Sequence, residues 1–497
     1  MQRLITHIKR NILLYLLIVA FGSLFFYRLD YNTLASWDEA WYASISRQMV
    51  RTGEYMNMVW NGKPYIDHPP LGYWFMAGSY RLFGINEFST RLPSALLGVG
   101  SVVLMYVLAT AFFKRKAIGI ASALMLGTSV WYVLRVRSGN LDSIFIFFYL
   151  FTVYLAYRSS KNILYLPLTA LSFSALMLSK TLVGASAIVI IVYLNAHHLK
   201  KLKQNLTFLL GSVIIFLIAV LPWYTSQADR VPNFYSYHFL NIGFRQREVS
   251  SLFDFAPAKQ ALFFLHMGVR KWYWIWTISL GWLVARFFFI KDKKQTALLM
   301  LWNGVVLFPF LSSQKTEIWH LIPVFPPLAL ITAYAAYDGV YFTAELAKRY
   351  AKGFAEQMAI FTNPRILTTV YLLGFILLAG IQVKIFFKEV MPENRYTKDD
   401  VDISRRLAKY NAKIFLDDDF FPRAVYYSGG KRIIPIYDAQ SWGHSEDKKS
   451  LLGVFQADDE PEFIAVTRNW VLDNLDKDGI KYKLLEQNDS YSIITRK

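Results

Sequence analysis

The sequence predicts an α-helical polytopic membrane protein with about eleven or more transmembrane helices and a small C-terminal α/β domain outside the membrane. Three observations predict it. Of 497 residues, 55% are hydrophobic and only 18% charged, too apolar for an ordinary soluble multidomain chain. The apolar residues gather in uncharged runs of bilayer length. After Val383 the composition turns abruptly to charged and mixed.

The apolar runs are residues 11–27, 93–113, 117–134, 143–157, 162–179, 181–196, 206–226, 272–290, 295–313, 320–337 and 366–383. They are 15 to 21 residues long, and several are shorter than the roughly 20 helical residues that a ~30 Å hydrocarbon core requires. A basic stretch precedes the first run, as in a signal peptide, but no small-residue cleavage site follows in FGSLFFYRLD, so a retained helix is expected.

Lys and Arg cluster at Arg3, Lys9 and Arg10; Lys114 to Lys116; Arg158 and Lys161; Lys200, Lys201 and Lys203; Lys291, Lys293 and Lys294; and Lys348, Arg349 and Lys352. Counted through the runs, all of these fall on one face, which the positive-inside rule assigns to the cytoplasm. The net charge of +19 is therefore read as loop bias rather than nucleic-acid binding, for which no motif exists. The absence of Cys excludes a disulfide scaffold.

Two outer segments, 28–92 and 227–271, exceed the length of simple connectors and are expected to be functional. In the first, WDEAWYASISRQMVRTG has helical apolar spacing and a Gly stop, predicting an amphipathic helix at the membrane interface. A second helix is expected to start after Pro69-Pro70, at LGYWFMAGSYRLFG. The membrane domain is expected over 1–386. The C-terminal domain, 387–497, carries KIFL, RIIPIY, EFIAV and YSIIT as its strand-like segments.

The informative charges lie at the outer ends of the runs. Asp38 and Glu39 follow the first run beside Trp37, Trp41 and Tyr42, where partial desolvation raises the basicity of a carboxylate; the alternative for Asp38 is a helix N-cap. Asp67 and His68 precede the two prolines, which fix where the side chains before them point; a rigid turn with a capping Asp explains them equally. Arg135, Arg137 and Asp142 bracket the turn between the third and fourth runs. Ionisable groups at that depth pair or serve a site, and an Arg137–Asp142 pair is the structural alternative. Lys180 sits between the fifth and sixth runs and either serves the same site or snorkels.

Arg245 and Arg247, then His266, Arg270 and Lys271, and finally Lys315, Glu317 and His320, add charges on the outer side. Singly, each basic residue is a surface charge or headgroup anchor. Together they suit a phosphate held at membrane depth.

The runs WDEAWYASISRQMVRTGEY and NGKPYIDHPPLGYWFMAGSYRLFGINEFSTRLPSALLG resemble the first outer loop of integral-membrane GT-C glycosyltransferases of the aminoarabinose-transferase and protein O-mannosyltransferase type. RSGNLDSIF, LSKTLVG, LPWY and WHLIPVFPPLAL extend the likeness over 35–327. It implies a GT-C fold and an enzyme that moves one sugar, with inversion, from a polyprenyl-phosphate donor to an acceptor at the outer face of a bacterial inner membrane. It places Asp38 at the active site and matches Asp142 to a second acidic position. His68, Arg245 and His320 match phosphate-contacting positions. Both histidines depart from the pattern, since Lys is usual at the first and Tyr common at the second; a neighbouring phosphate raises an imidazole pKa, so His68 can still serve as a cation.

Under that reading, Asp38 takes the acceptor proton. Arg245, Lys315, His68 and His320 stabilise the leaving phosphate, with Arg247 and Lys180 as further phosphate contacts. Glu39, Arg137 and Asp67 orient donor and acceptor. The expected partners are the polyprenyl-phosphate-linked sugar, membrane lipids, and an acceptor that is lipid A or another lipid, a glycan or a protein. No cofactor is required as far as the sequence shows, and a divalent metal has no supporting motif: the run Asp417-Asp418-Asp419 reads as a solvated turn. The competing class is a transporter or flippase, which would concentrate broken helices and charges at mid-membrane rather than at one face.

Overall fold

The computed structural model describes residues 2–180, 182–243, 256–289, 293–313, 316–350, 363–391, 396–436, 450–457 and 462–497. Among the described residues, each apolar run is mainly helical. Helix α1 (Gln2–Phe26) holds the first. In the long loop that follows, α2 (Asp38–Thr52) and α3 (Leu71–Phe83) flank a hairpin of β1 (Val59–Trp60) and β2 (Lys63–Pro64). Then come α4 (Glu87–Phe113), α5 (Lys116–Thr128), α6 (Val130–Val136), α7 (Asp142–Ser159), α8 (Leu166–Met177), α9 (Ala187–Lys200) and α10 (Leu202–Arg230). The second long loop carries α11 (Ala258–Val269), and the helical body ends with α12 (Trp272–Phe287), α13 (Lys293–Leu311), α14 (Phe325–Tyr350) and α15 (Pro364–Ile385).

Among the described residues, six helices are long and apolar enough to cross a membrane, and the chain is a multi-pass membrane protein. Their outward faces stay apolar: Leu210, Ile214, Leu217, Ile218 and Leu221 form an exposed stripe on α10, the pattern of a surface solvated by lipid.

The run 117–134 is not one straight span. It breaks at Ser129 into α5 and α6, bent by 69°. The hydroxyls of Thr128 and Ser129 donate back to the carbonyls of Leu124 and Met125, which occupies backbone acceptors at the break. Close packing reinforces the bend. A Cβ built on Gly98 of α4 would lie 2.3 Å from a methyl of Val136 in α6, and one on Gly127 would lie 2.2 Å from the Phe21 ring.

The first outer loop forms as its punctuation dictates. Gly53, at φ 73°, stops α2, and Pro70 leads into α3. Asn86 and Ser89 exchange a reciprocal capping box that starts α4. The helix expected over 37–53 forms as α2, and protein covers one side of it: Arg47 Nη1 donates to the Tyr426 carbonyl at 2.6 Å.

That cover is the C-terminal unit, which begins with α16 (Tyr396–Arg406) and continues with a five-stranded sheet of order β4-β3-β5-β7-β6. Its strands are β3 (Lys413–Leu416), β4 (Ile433–Pro435), β5 (Phe463–Arg468), β6 (Tyr482–Gln487) and β7 (Tyr491–Arg496), with α17 (Phe421–Tyr427) crossing between β3 and β4. β3 pairs in parallel with β4 and β5, whereas β7 pairs antiparallel with β5 and β6. All four segments read as strands fold as strands; β6 is an addition.

One apolar core joins this sheet to the outer loops: Leu34, Ile45, Met49 and Trp60 cluster with Trp223, Phe234, Phe421 and Ile433. A second core, containing Phe25, Tyr132, Trp272, Trp302 and Phe325, fills the helical body.

The α4–α6 contact gives a packing test. Gly98→Ala should lower the unfolding temperature in detergent by the equivalent of about 1–3 kcal/mol of overpacking, and adding Val136→Ala should recover most of it. Equal melting of Gly98→Ala and the wild type would show that the contact is not tight.

Candidate functional site

The site is built around a buried carboxylate. Asp142 opens α7 with its side chain only 3% exposed. One of its oxygens accepts from Arg135 Nε and the other from Lys180 Nζ. Arg135 Nη2 then reaches Asp38, at the start of α2, at 2.9 Å. The turn carrying Arg135 and Asp142 is locked locally: Asn140 Nδ2 donates to the Arg135 carbonyl at 2.6 Å, and Asn140 Oδ1 accepts from Asp142 N at 2.8 Å.

Several sequence alternatives fall away. The residue before α2 is Trp37, at φ 69°, and no side chain caps this helix, so Asp38 spends its carboxylate on Arg135 instead of an N-cap. Arg137 does not pair with Asp142. It donates to the carbonyls of Leu24 (2.7 Å), Phe25 (3.2 Å) and Tyr27 (2.6 Å), where a cation complements the C-terminal end of α1. Lys180 turns inward rather than snorkelling. The aspartate run is not a solvated turn either, since Asp418 is buried against Arg468 and Asp417 accepts from Thr467 at 2.7 Å.

Glu39 holds the loop together. It accepts from Arg91 Nε at 2.7 Å and Nη2 at 3.1 Å, and from the backbone N–H of Ala35 and of Gly139, both at 2.7 Å. Burial pushes its carboxyl upward, but the Arg91 guanidinium and these hydrogen bonds more than offset that and hold it below the usual range. Gly139 is required there, because a Cβ would sit 2.4 Å from the Thr90 methyl. The C-terminal unit closes the same loop from outside. Tyr427 OH accepts from Leu34 N at 2.8 Å and donates to Glu87 at 2.9 Å.

Asp38, its side chain 34% exposed, stands where two cavities meet. The first, ≈ 660 Å³, runs past Arg28, Glu39, Arg91 and Arg137 toward the apolar Phe386 and Val390. The second, ≈ 470 Å³, is walled by Phe145, Val305, Val306 and Phe310, with Lys180, His68, His320 and Asp67 at its polar end. Trp41 and Trp319 line both. His320 is oriented by Glu317, whose N–H donates to its Nδ1 at 2.9 Å, and Asp67 accepts from Tyr237 OH at 3.0 Å.

Of the residues singled out in the sequence, Asp38, Asp67, His68, Lys180 and His320 therefore share one cavity, and Glu39 and Arg137 line the other. Asp142 lies behind both. Arg245, Arg247 and Lys315 lie outside the described residues. His266 and Arg270 are elsewhere: the ring of His266 packs on Tyr273, and Arg270 pairs with Glu389. Arg135, Arg91 and Trp41 were not assigned roles from the sequence, although an arginine at the mouth of a span is a signal for the first two.

Comparison with known proteins places this arrangement. The family model described as dolichyl-phosphate-mannose-protein mannosyltransferase matches residues 67–224. An uncharacterised protein of Aquifex aeolicus is 27% identical over 318 residues, covering 62% of this chain and 61% of that one. The undecaprenyl phosphate-α-4-amino-4-deoxy-L-arabinose arabinosyl transferase of Shewanella sediminis is 25% identical over 324 residues, covering 63% and 58%. The match thus spans about three fifths of the length of these relatives. In structure, ArnT from Cupriavidus metallidurans bound to undecaprenyl phosphate superposes with a TM-score of 0.69 at 16% identity, over 98% of both chains. The archaeal oligosaccharyltransferase AglB from Archaeoglobus fulgidus gives 0.52 at 11% identity, over 93% of this chain and 69% of that one. The fold is that of the GT-C glycosyltransferases. In sequence the chain resembles the aminoarabinose transferases, as its motifs anticipate.

Replacing Glu39 by Gln removes the charge that compensates the buried Arg91, and stability should fall by about 3–5 kcal/mol. Because the folded Glu39 carboxyl lies below its ordinary value, the wild-type contribution is fully present above that value and is lost as pH falls through the lowered one. Thermal melting of both proteins across an acid pH series checks this; overlapping curves would remove Glu39 as the anchor of the loop.

Proposed function

We propose that the chain is an inverting glycosyltransferase. It moves a single sugar from a polyprenyl-phosphate donor to an acceptor at the periplasmic face of a bacterial inner membrane, with 1–386 as the catalytic membrane domain and 387–497 as an extracytoplasmic domain. The observation that carries this reading is the position of Asp38 between an apolar-walled cavity with Lys180, His68 and His320 in its wall and a second cavity rimmed by Arg28, Arg91 and Arg137. The names of the relatives support the donor class, since the Shewanella protein is an undecaprenyl phosphate aminoarabinose transferase.

In this reading the isoprenoid tail lies along Val305, Val306 and Phe310, where burial of apolar surface contributes roughly 25 cal/mol per Å². The donor phosphate meets Lys180, His68 and His320, and Arg245, Arg247 and Lys315 are further phosphate contacts of this reading. The acceptor enters through the other cavity, past Arg28 and Arg137. Asp38 takes the proton of its hydroxyl as the hydroxyl oxygen bonds to the anomeric carbon; the bond from that carbon to the phosphate oxygen breaks, and its electron pair leaves on the polyprenyl phosphate. Arg135 Nη2, 2.9 Å away, aims the Asp38 carboxylate, which suits a base. Asp142 acts through Arg135 and Lys180 and is a positioning residue. Asp67 and Glu39 orient donor, acceptor and loop.

Asp38→Asn should lower transfer of labelled sugar from polyprenyl phosphate by at least about 100-fold, the usual contribution of a general base, with undecaprenyl phosphate binding retained. Wild-type turnover by that variant would remove Asp38 from the role. Transport of the lipid-linked sugar across sealed vesicles without chemical change would replace the enzyme reading with a flippase.

A further inference from the structure

The C-terminal unit has nearly balanced charge, with 18 Lys and Arg against 20 Asp and Glu over 387–497, but the charges are sorted by position. Asp417 and Asp418 follow β3, at the carboxyl ends of the parallel strands. At the amino ends of β3 and β4 lies a cavity of ≈ 410 Å³, within the ~300–1,000 Å³ typical of small-molecule sites. Its wall carries Lys413, Lys431 and Arg432 and, among the described residues, no carboxylate. It shares no wall residue with the cavities at Asp38.

The cations are oriented from several sides. Lys431 Nζ donates to the neutral Asn411 Oδ1 at 2.9 Å, and Lys413 Nζ stands over the Phe415 ring, 5.3 Å from its centroid. The stem of Arg432 lies against Gly62 of the β1–β2 hairpin, where a Cβ would meet it at 3.6 Å. That hairpin is fixed to the same strand, because Asn61 exchanges two hydrogen bonds with the Ile433 backbone, at 2.7 and 2.9 Å. Glu486, which the hydroxyl of Tyr410 in the wall reaches at 2.6 Å, is already shared with Lys409 and Arg406. Three like charges around one cavity repel one another, and an anion seated between them relieves the repulsion.

The donor set favours a phosphoryl group. A carboxylate offers two oxygens, which one guanidinium fork satisfies, whereas a terminal phosphate offers three, enough for a guanidinium and two ammonium groups. The cavity is larger than a phosphate alone, and Ile414 and Ile434 in its wall give the rest of a ligand an apolar surface. We propose that this cavity is an accessory binding site for a phosphate monoester, seated on the C-terminal unit and separate from the site at Asp38. Two sources present that chemistry, an anionic lipid headgroup and a soluble phosphorylated molecule.

Full-length protein in uncharged detergent is titrated with glycerol 3-phosphate, with short-chain phosphatidic acid, and with citrate as a carboxylate of comparable charge. Saturable, salt-sensitive binding of a phosphate probe is expected. Lys431→Glu combined with Arg432→Glu should weaken it at least about tenfold, and Arg432→Gln, a milder change at an exposed position, at least about threefold. Lys481→Glu combined with Lys483→Glu makes the same change of charge at exposed positions on the other edge of the sheet and should leave binding within about twofold. Tighter binding of phosphatidic acid identifies the lipid source, and tighter binding of glycerol 3-phosphate the soluble one. Absence of saturable binding by either phosphate probe overturns the site, as does citrate binding of equal strength, unchanged binding by Arg432→Gln, or an equal loss in the Lys481 and Lys483 control.

Discussion

An ionised carboxylate buried at the edge of a bilayer is tolerated only when it is fully paired, and the pairing of Asp142 sets the geometry of everything around it. Its two oxygens are taken by two cations from different elements, Arg135 from the end of α6 and Lys180 from the turn after α8. Arg135 points onward to Asp38 and Lys180 into the apolar-walled cavity. One buried negative charge thus holds two cations in place, one beside Asp38 and one in the wall of the apolar cavity.

The bend at Ser129 belongs to the same construction. A straight span over 117–134 would carry Arg135 on along the axis of α5. Turning by 69° brings α6 across the mouth of the body, where its last turn faces both α7 and the first outer loop. The Gly98 and Gly127 contacts that secure the bend are remote from Asp142, yet they set the direction of the arginine that pairs with it.

Much of this was legible in the sequence. Apolar runs mark helices because lipid leaves the backbone no other partner, Gly53 and Pro70 mark boundaries because of their dihedral limits, and the outer charges stood out against the apolar runs around them. Pairing was less legible. Arg137 is nearer in sequence to Asp142 than Arg135 is, but the turn between α6 and α7 sends it toward the end of α1 instead. The strand 482–487 was missed because YKLLEQ, at the edge of the sheet, has no buried residue and carries Lys483 and Glu486, so it lacks a clean apolar alternation. The grip of the C-terminal unit on α2 was invisible, because Arg47, Asn61 and Tyr427 act on backbone groups hundreds of positions away, and such bonds leave no local pattern.

The hydroxyl of Tyr427, linking Leu34 to Glu87, has a consequence for biosynthesis. The ribosome delivers the amino-terminal helices to the bilayer long before residue 427 exists. Until the last hundred or so residues have emerged and folded, the stretch around Asp38 lacks its outer brace. A stalled or clipped polypeptide would carry its helices with the Leu34–Glu87 brace missing.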